Sequence, residues 1–299
     1  MAYILNLRKK RWKESLQYST LTIPALVIYG LFVVLPLLGA VYYSMTNWNG
    51  LSTEFDFIGL DNYVYLFTEG YVWHTLGTTL KYTISLTIIQ NILAIVLAVA
   101  LDQNIKTKNI LRTMIFIVCT MSPLITGYVW SFIYSGPAMS MGKFFGIDAF
   151  AFNILSSEQW AIYAASFASI WRMTGWSMII YLAGLQLIPR ELYEAADVDG
   201  VSAIKKFFHI TFPLLAPAIT VNVILTFERG LKDFDSIFAL TGGGPGDSTS
   251  IIALSIYRET FFFSRAGYGT AVGIILFLLI VISTIIQLSF LRKREEDVI

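Results

Sequence analysis

The sequence predicts an all-α, polytopic membrane protein that crosses a bilayer six times, and three observations carry that reading. Hydrophobic residues make up 56% of the 299-residue chain and charged residues only 14%, with a mean hydropathy of +0.66, beyond what a soluble domain of this length carries. The apolar residues gather into windows of about twenty, the length that crosses about 30 Å of hydrocarbon. Runs such as Ile88 to Leu101 and Ile274 to Ile286 lack the alternation that barrel strands show.

The windows fall near 20–46, 77–101, 110–135, 159–187, 213–232 and 271–291, between a basic tail at 1–19 and a short tail at 292–299. The first is too long for a signal-peptide core and lacks a clear small-residue cleavage site, so it stays as a span. Before it stand Arg8, Lys9, Lys10, Arg11 and Lys13. The loop 47–76 has no Lys or Arg and four acids, whereas 102–112 carries Lys106, Lys108 and Arg112. Basic loops stay in the cytoplasm, so the chain runs in, out, in. After six crossings Arg292, Lys293 and Arg294 are cytoplasmic again, as is the loop at 190–212. The stretch 228–270 carries Arg229, Lys232, Arg258 and Arg265 but balances them with Glu228, Asp233, Asp235, Asp247 and Glu259, and long balanced loops are weakly constrained.

Several features carry no function. Cys119 stands alone, so it forms no internal disulfide and no thiolate metal site. His74 has no second ligand near it in sequence. Tyr42, Tyr43, Trp48, Tyr71 and Trp73 suit an interfacial aromatic belt. A net charge of +1 gives no reason to expect nucleic acid; the surrounding partner is membrane lipid.

The informative loop lies between the fourth and fifth windows. Pro189 suits a first helical turn, and Leu192, Ala195 and Ala196 then share one apolar face, with Glu191, Glu194 and Asp197 as a second stripe. Asp199-Gly200 ends that helix in a turn, and Ser202 is placed to cap the next. There Ile204, Phe207 and Phe208 recur at helical spacing among Lys205, Lys206 and His209, until Pro213 opens the next span. Two short amphipathic helices meeting at an elbow are expected.

This segment resembles the EAA loop of ABC-importer permeases: Glu-Ala-Ala, three residues, Gly, nine residues, Ile, one residue, Leu-Pro. Here Glu194, Ala195 and Ala196 lead to Gly200, then Ile210, then Phe212-Pro213, with Phe in place of Leu. A second stretch, Phe234-Asp235 followed by Leu240-Thr241-Gly242-Gly243-Gly244-Pro245-Gly246-Asp247-Ser248-Thr249, resembles the carbohydrate branch, as does Gly184 to Pro189. The likeness covers most of the chain and is to the larger-partner type of maltose-like or glycerol-phosphate-like systems.

The resemblance implies the type I ABC-importer permease fold with a cytoplasmic coupling helix in a bacterial cell membrane. It implies a second related permease chain, two copies of an ABC ATPase and an extracellular or periplasmic solute-binding protein. ATP and Mg2+ would bind the ATPases, and this chain would be no enzyme and hold no cofactor. It implies that the loop couples through Glu194, Ala195, Ala196, Asp197, Asp199, Gly200, Phe207, Ile210 and Pro213. The glycine run is not a phosphate loop, because Asp247 stands where its Lys would be; Thr241, Gly243, Gly244 and Pro245 are expected instead to make a tight outer turn against which a binding protein presses.

Charges within spans point to a pathway. Arg172 shares a helical face with Ser169, Met173 and Trp176, where aromatic faces and hydrogen-bonding groups suit sugars; the alternative is an arginine that snorkels to the outer headgroups or bridges to a neighbouring helix. At the far end of the fifth window, Glu228 with Lys232 and Arg229 with Asp233 stand at i, i+4. By resemblance, contacts also come from Thr120, Ser122 and Leu124. Charges at these positions raise an acidic or phosphorylated sugar as cargo. The rival reading is an ion-driven secondary transporter coupled through Arg172 and the charges from Glu228 to Asp233; it leaves the spacing of the loop unexplained.

Overall fold

The protein is described here from a computed structural model that covers residue 20 and residues 22–103, 105–146 and 152–296. The basic tail at 1–19, with Arg8 to Lys13, lies outside the described residues. Among them the fold is helical, with one isolated antiparallel bridge between Thr46 and Phe57.

Helix α1 (Thr22–Tyr43) is followed by a loop and the short α2 (Asp61–Thr68), whose Asn62 Nδ2 donates to the carbonyls of Ser44 (2.8 Å) and Thr46 (2.9 Å). Helix α3 (Gly70–Asp102) comes next, then α4 (Lys108–Thr120), α5 (Pro123–Ser135) and α6 (Pro137–Phe145). Helix α7 (Ala161–Leu185) leads into α8 (Arg190–Val198), α9 (Ala203–Leu214) and α10 (Ala216–Leu231). The short α11 (Phe234–Leu240) and α12 (Ile252–Tyr257) precede α13 (Ala266–Glu296), which runs past the predicted end of the last window.

Helix lies within each predicted window, but two of these stretches are not straight. The third is broken by 99° between α4 and the segment Pro123–Phe145. Proline at 123 drives the residue before it out of the helical region, and Ser122 is extended at ψ 138. The fifth turns by 70° between α9 and α10 rather than starting straight from Pro213. Pro213 and Pro217 each lack the N–H that a continuous helix needs, and Leu215 between them, at φ −82 and ψ −2, stands at the edge of the helical region where the two helices meet.

Helices α1, α3 and α13 are long and apolar enough to cross a membrane on their own. Helix α7 is less apolar, yet its 25 residues span about 37 Å, enough for the hydrocarbon. Sixteen of those residues are buried, so little of it faces lipid and Ser, Thr and Arg are tolerated.

Cross-helix hydrogen bonds fix the directions. Tyr82, Gln90 and Asn91 of α3 meet Ser169, Ser177 and Tyr181 of α7 in the same order, so the two helices run parallel. Helix α10 runs against them, because Asn222 meets Ser177 whereas Asp233, just past its end, meets Ser169. Chain leaving α3 at Asp102 therefore re-enters α7 at the opposite end of the bundle, so the bent α4–α6 segment runs from one end of the bundle to the other. Small residues let the helices approach: a β-carbon at Gly175 of α7 would stand 2.5 Å from the Ile115 carbonyl oxygen of α4, and one at Gly230 of α10 3.0 Å from Thr83 of α3.

The core has three parts. Ala94, Ala98, Met178, Tyr181, Leu182 and Leu215 pack at the end that bears α8. At the opposite end, Tyr82, Leu86, Ile162, Ile237 and Leu254 form one cluster and Leu66, Leu231, Ile252 and Val272 another. A seam of hydrogen-bonded polar side chains joins the ends through α3, α7 and α10.

Candidate functional site

The elbow between α8 and α9 forms as local chemistry requires. Gly200 is left-handed at φ +66, and its N–H donates to the Asp197 carbonyl (3.1 Å) while the Val201 N–H donates to that of Ala196 (2.9 Å). This pair of bonds satisfies the carbonyls at the end of α8. Ser202 sits at the start of α9, but its hydroxyl makes no capping bond. Instead Lys206 reaches back to Asp197 as an ion pair that straps the two arms together. Tyr193 OH and Thr211 Oγ1, 2.9 Å apart, tie α8 to the far end of α9.

The elbow has an anchored side and an open side. Ala196 is buried, Ile210 packs on the core, and Phe207 lies against Phe208 and Phe212. Glu194, Ala195, Asp197, Asp199 and Gly200 are exposed, and Pro213 is half-buried. On the same two arms Val198 is 88% and Ile204 72% exposed. Between the elbow and the ends of α3 and α7 lies a cavity of about 710 Å³, lined by Asp102, Gln186, Arg190, Tyr193, Lys206 and Phe207 among others.

The predicted pathway residues divide between the seam and its edge. Ser169 is buried, and Asp233 Oδ2 accepts from its hydroxyl (3.0 Å) and from Tyr82 OH (2.6 Å). Glu228 and Lys232 pair at 2.6 Å, as their spacing predicts. The expected Arg229–Asp233 pair does not form: Arg229 Nη2 donates to Gln90 Oε1 at 2.5 Å, because tertiary acceptors outcompete the i, i+4 neighbour. Arg172 is 7% exposed and donates from Nη1 to the Met173 thioether at 3.3 Å. Ser169 and Arg172 thus face inward, whereas Trp176 on the predicted common face is half exposed. Thr120, Ser122 and Leu124 are exposed at the break between α4 and α5.

Tyr82, Gln90, Asn91, Asn222 and Tyr181 complete the seam, and none was among the sequence candidates. The available signal was amides inside apolar runs, Gln90-Asn91 above all, since a polar group in a span needs a partner.

The turn at 241–249 is tight, as expected. Thr241 and Thr249 hydroxyls lie 2.7 Å apart, and the Thr249 hydroxyl donates to the Gly244 carbonyl at 2.8 Å. Arg258 donates to Asp247 Oδ1 and to the Gly242 carbonyl, both at 2.6 Å. Burial alone would lower this guanidinium, but its bonds to Asp247 and Tyr71 hold it above the ordinary range, so it stays charged. The glycine at 243 serves internal packing: its φ is +97, and a β-carbon there would meet Arg258 and Leu254 at 2.8 Å. Its bare backbone therefore faces its own chain rather than an outside partner.

Comparison with known proteins agrees with this architecture. Residues 90–296 match the family described as "Binding-protein-dependent transport system inner membrane component". The multiple sugar-binding transport system permease protein MsmF of Streptococcus mutans is 34% identical over 92% of this chain and 95% of its own. The probable starch degradation products transport system permease protein AmyD of Thermoanaerobacterium thermosulfurigenes is 31% identical over 97% and 99%. A crystal structure of a bacterial ABC transporter involved in import of the acidic polysaccharide alginate superposes with a TM-score of 0.80 at 23% identity, covering 96% of this chain and 99% of that one, a likeness of fold. The helical architecture, the elbow and these matches together identify the chain as a member of the binding-protein-dependent transport system inner membrane component family.

Proposed function

We propose that this chain is one transmembrane half of an ATP-driven, binding-protein-dependent importer of sugars or oligosaccharides. The observation that carries the reading is the elbow: a rigid helical turn, anchored by Ala196, Ile210 and the Tyr193–Thr211 contact, that leaves Val198 and Ile204 open to water. Exposed apolar side chains on a stiff element suit a groove on another protein. In this reading they dock on a cytoplasmic ATPase that binds ATP and Mg2+, and the elbow carries its closure to α7 and α10. The elbow and both termini then face the cytoplasm of a bacterial cell, and the turn at 241–249 faces the solute-binding protein.

A second permease chain completes the pathway, with two ATPase copies beneath the pair. Family relatives that transport sugars and starch products by name support the cargo class. The chain does no bond chemistry; its part is to present alternately open faces to cargo near the break at Thr120 to Leu124 and the seam.

Uptake by proteoliposomes that hold the full complex tests this. Uptake of the sugar captured by the binding protein is expected to require enclosed ATP and to persist with an uncoupler. Uptake that an uncoupler abolishes while ATP is present sinks the reading and favours an ion-driven carrier.

A further inference from the structure

We propose that Arg172 and Arg229 form a subsite for an anionic group, a carboxylate, sulfate or phosphate, carried by the sugar in transit. The proposal rests on the importer reading and adds the charge of the cargo.

Arg172 is buried to better than nine-tenths, yet among the described residues its one hydrogen-bond acceptor is the thioether of Met173, and its Nε has none. None of the ion pairs among the described residues includes it. Arg229 donates to the neutral oxygen of Gln90, and its Nε is buried without an acceptor. Gln90, which accepts from Arg229, also donates to the Met173 carbonyl at 3.4 Å, and the Met173 thioether accepts from Arg172, so one glutamine links the two arginines. The Cys119 thiol at the end of α4 lies against the same helix, 3.1 Å from where a β-carbon at Gly175 would stand. The carboxylate close to Arg229, Asp233, already accepts from Tyr82 and Ser169. Two cations against one anion leave a net positive charge where the dielectric is low, a state that an arriving anion relieves and a sugar hydroxyl does not.

The surroundings make the charge reachable. Beyond Cys119 the chain is extended at Met121 and Ser122, and Thr120 and Ser122 are exposed. Broken backbone at membrane depth lines cavities, and the ends of broken helices carry cargo sites. Guanidinium forks match the paired oxygens of carboxylate, sulfate and phosphate.

The test uses the assembled transporter in nanodiscs, with mixed-disulfide formation at Cys119 read by mass spectrometry. Anionic and cationic methanethiosulfonates of equal size are compared. The anionic reagent is expected to react about tenfold faster or more, as a positive cleft concentrates anions. Glucuronate is expected to slow the reaction where glucose does not, and Arg172→Gln or Arg229→Gln to bring the two reagents toward equal rates. Where Cys119 reacts with neither reagent, Ser122→Cys places the thiol at the exposed break, with the same ratio expected. Equal rates in the unaltered protein, or equal protection by glucose, overturn the subsite; a carboxylate supplied by the second permease would give that result. ATPase stimulation by the binding protein is measured on the same sample. Stimulation without anion preference overturns the subsite alone, whereas anion preference without stimulation overturns the importer reading.

Discussion

The seam and the elbow reverse the usual placement of side chains in opposite ways. In the seam, Tyr82, Ser169, Asp233, Gln90 and Ser177 are polar and buried in the middle of a membrane bundle. In the elbow, Val198 and Ile204 are apolar and exposed. Lipid offers helices no hydrophobic reason to associate, so hydrogen bonds and close packing join α3, α7 and α10. Water offers apolar groups every reason to be covered, so in the proposed reading a partner covers the elbow. A reversed polarity inside therefore belongs to folding, and one at the watery end belongs to assembly.

The largest expected effect tests the folding side. Gly175→Val puts side-chain atoms against the Ile115 carbonyl, which is backbone and cannot swing away, and is expected to destabilise the bundle by about 3 kcal/mol. The check is the yield of monodisperse protein in size-exclusion chromatography, which should collapse. On the assembly side, Val198→Asp is expected to cost about 2 kcal/mol of ATPase association, measured by pull-down of the ATPase, with the permease's own melting temperature unchanged. A lowered melting temperature would mean that Val198 belongs to a folding core and would erase the contrast.

Gly200→Val tests the joint itself. The left-handed conformation at φ +66 penalises a side chain by about 1.4 kcal/mol, and ATP-driven uptake is expected to fall about tenfold with insertion intact. Full uptake in that variant would show that the elbow's angle does not matter for coupling. Tyr82→Phe removes one donor from the buried carboxylate of Asp233 and should lower stability by about 1 kcal/mol, seen as an earlier thermal transition in detergent. The smallest effect belongs to Lys206→Gln. Its partner Asp197 is largely exposed, so the loss should stay below about 0.5 kcal/mol and vanish in high salt.

What the sequence disclosed follows the same division. The elbow was legible because its shape is local: Asp199-Gly200 makes the turn, and the apolar spacing on either side needs no tertiary information. The windows were legible because lipid selects composition over about twenty residues. The break before Pro123 was not read, although the proline was visible, because a hydropathy window averages composition and ignores backbone angles. The seam was not read because its partners lie far apart in the chain, as with Tyr82 and Asp233. Arg229 and Asp233 had the right spacing for a pair, but Gln90 and Tyr82 came nearer in space.

The parallel course of α3 and α7 has a consequence for biogenesis. Tyr82 can meet Ser169 only after the chain between them has crossed the bilayer and come back, and α10 can supply Asp233 only after a second crossing and return. A nascent chain that skips one passage leaves these groups on opposite leaflets, about 30 Å apart. The seam is thus a proof-reader of insertion: a copy with the wrong number of passages cannot close it, and keeps bare charges in lipid.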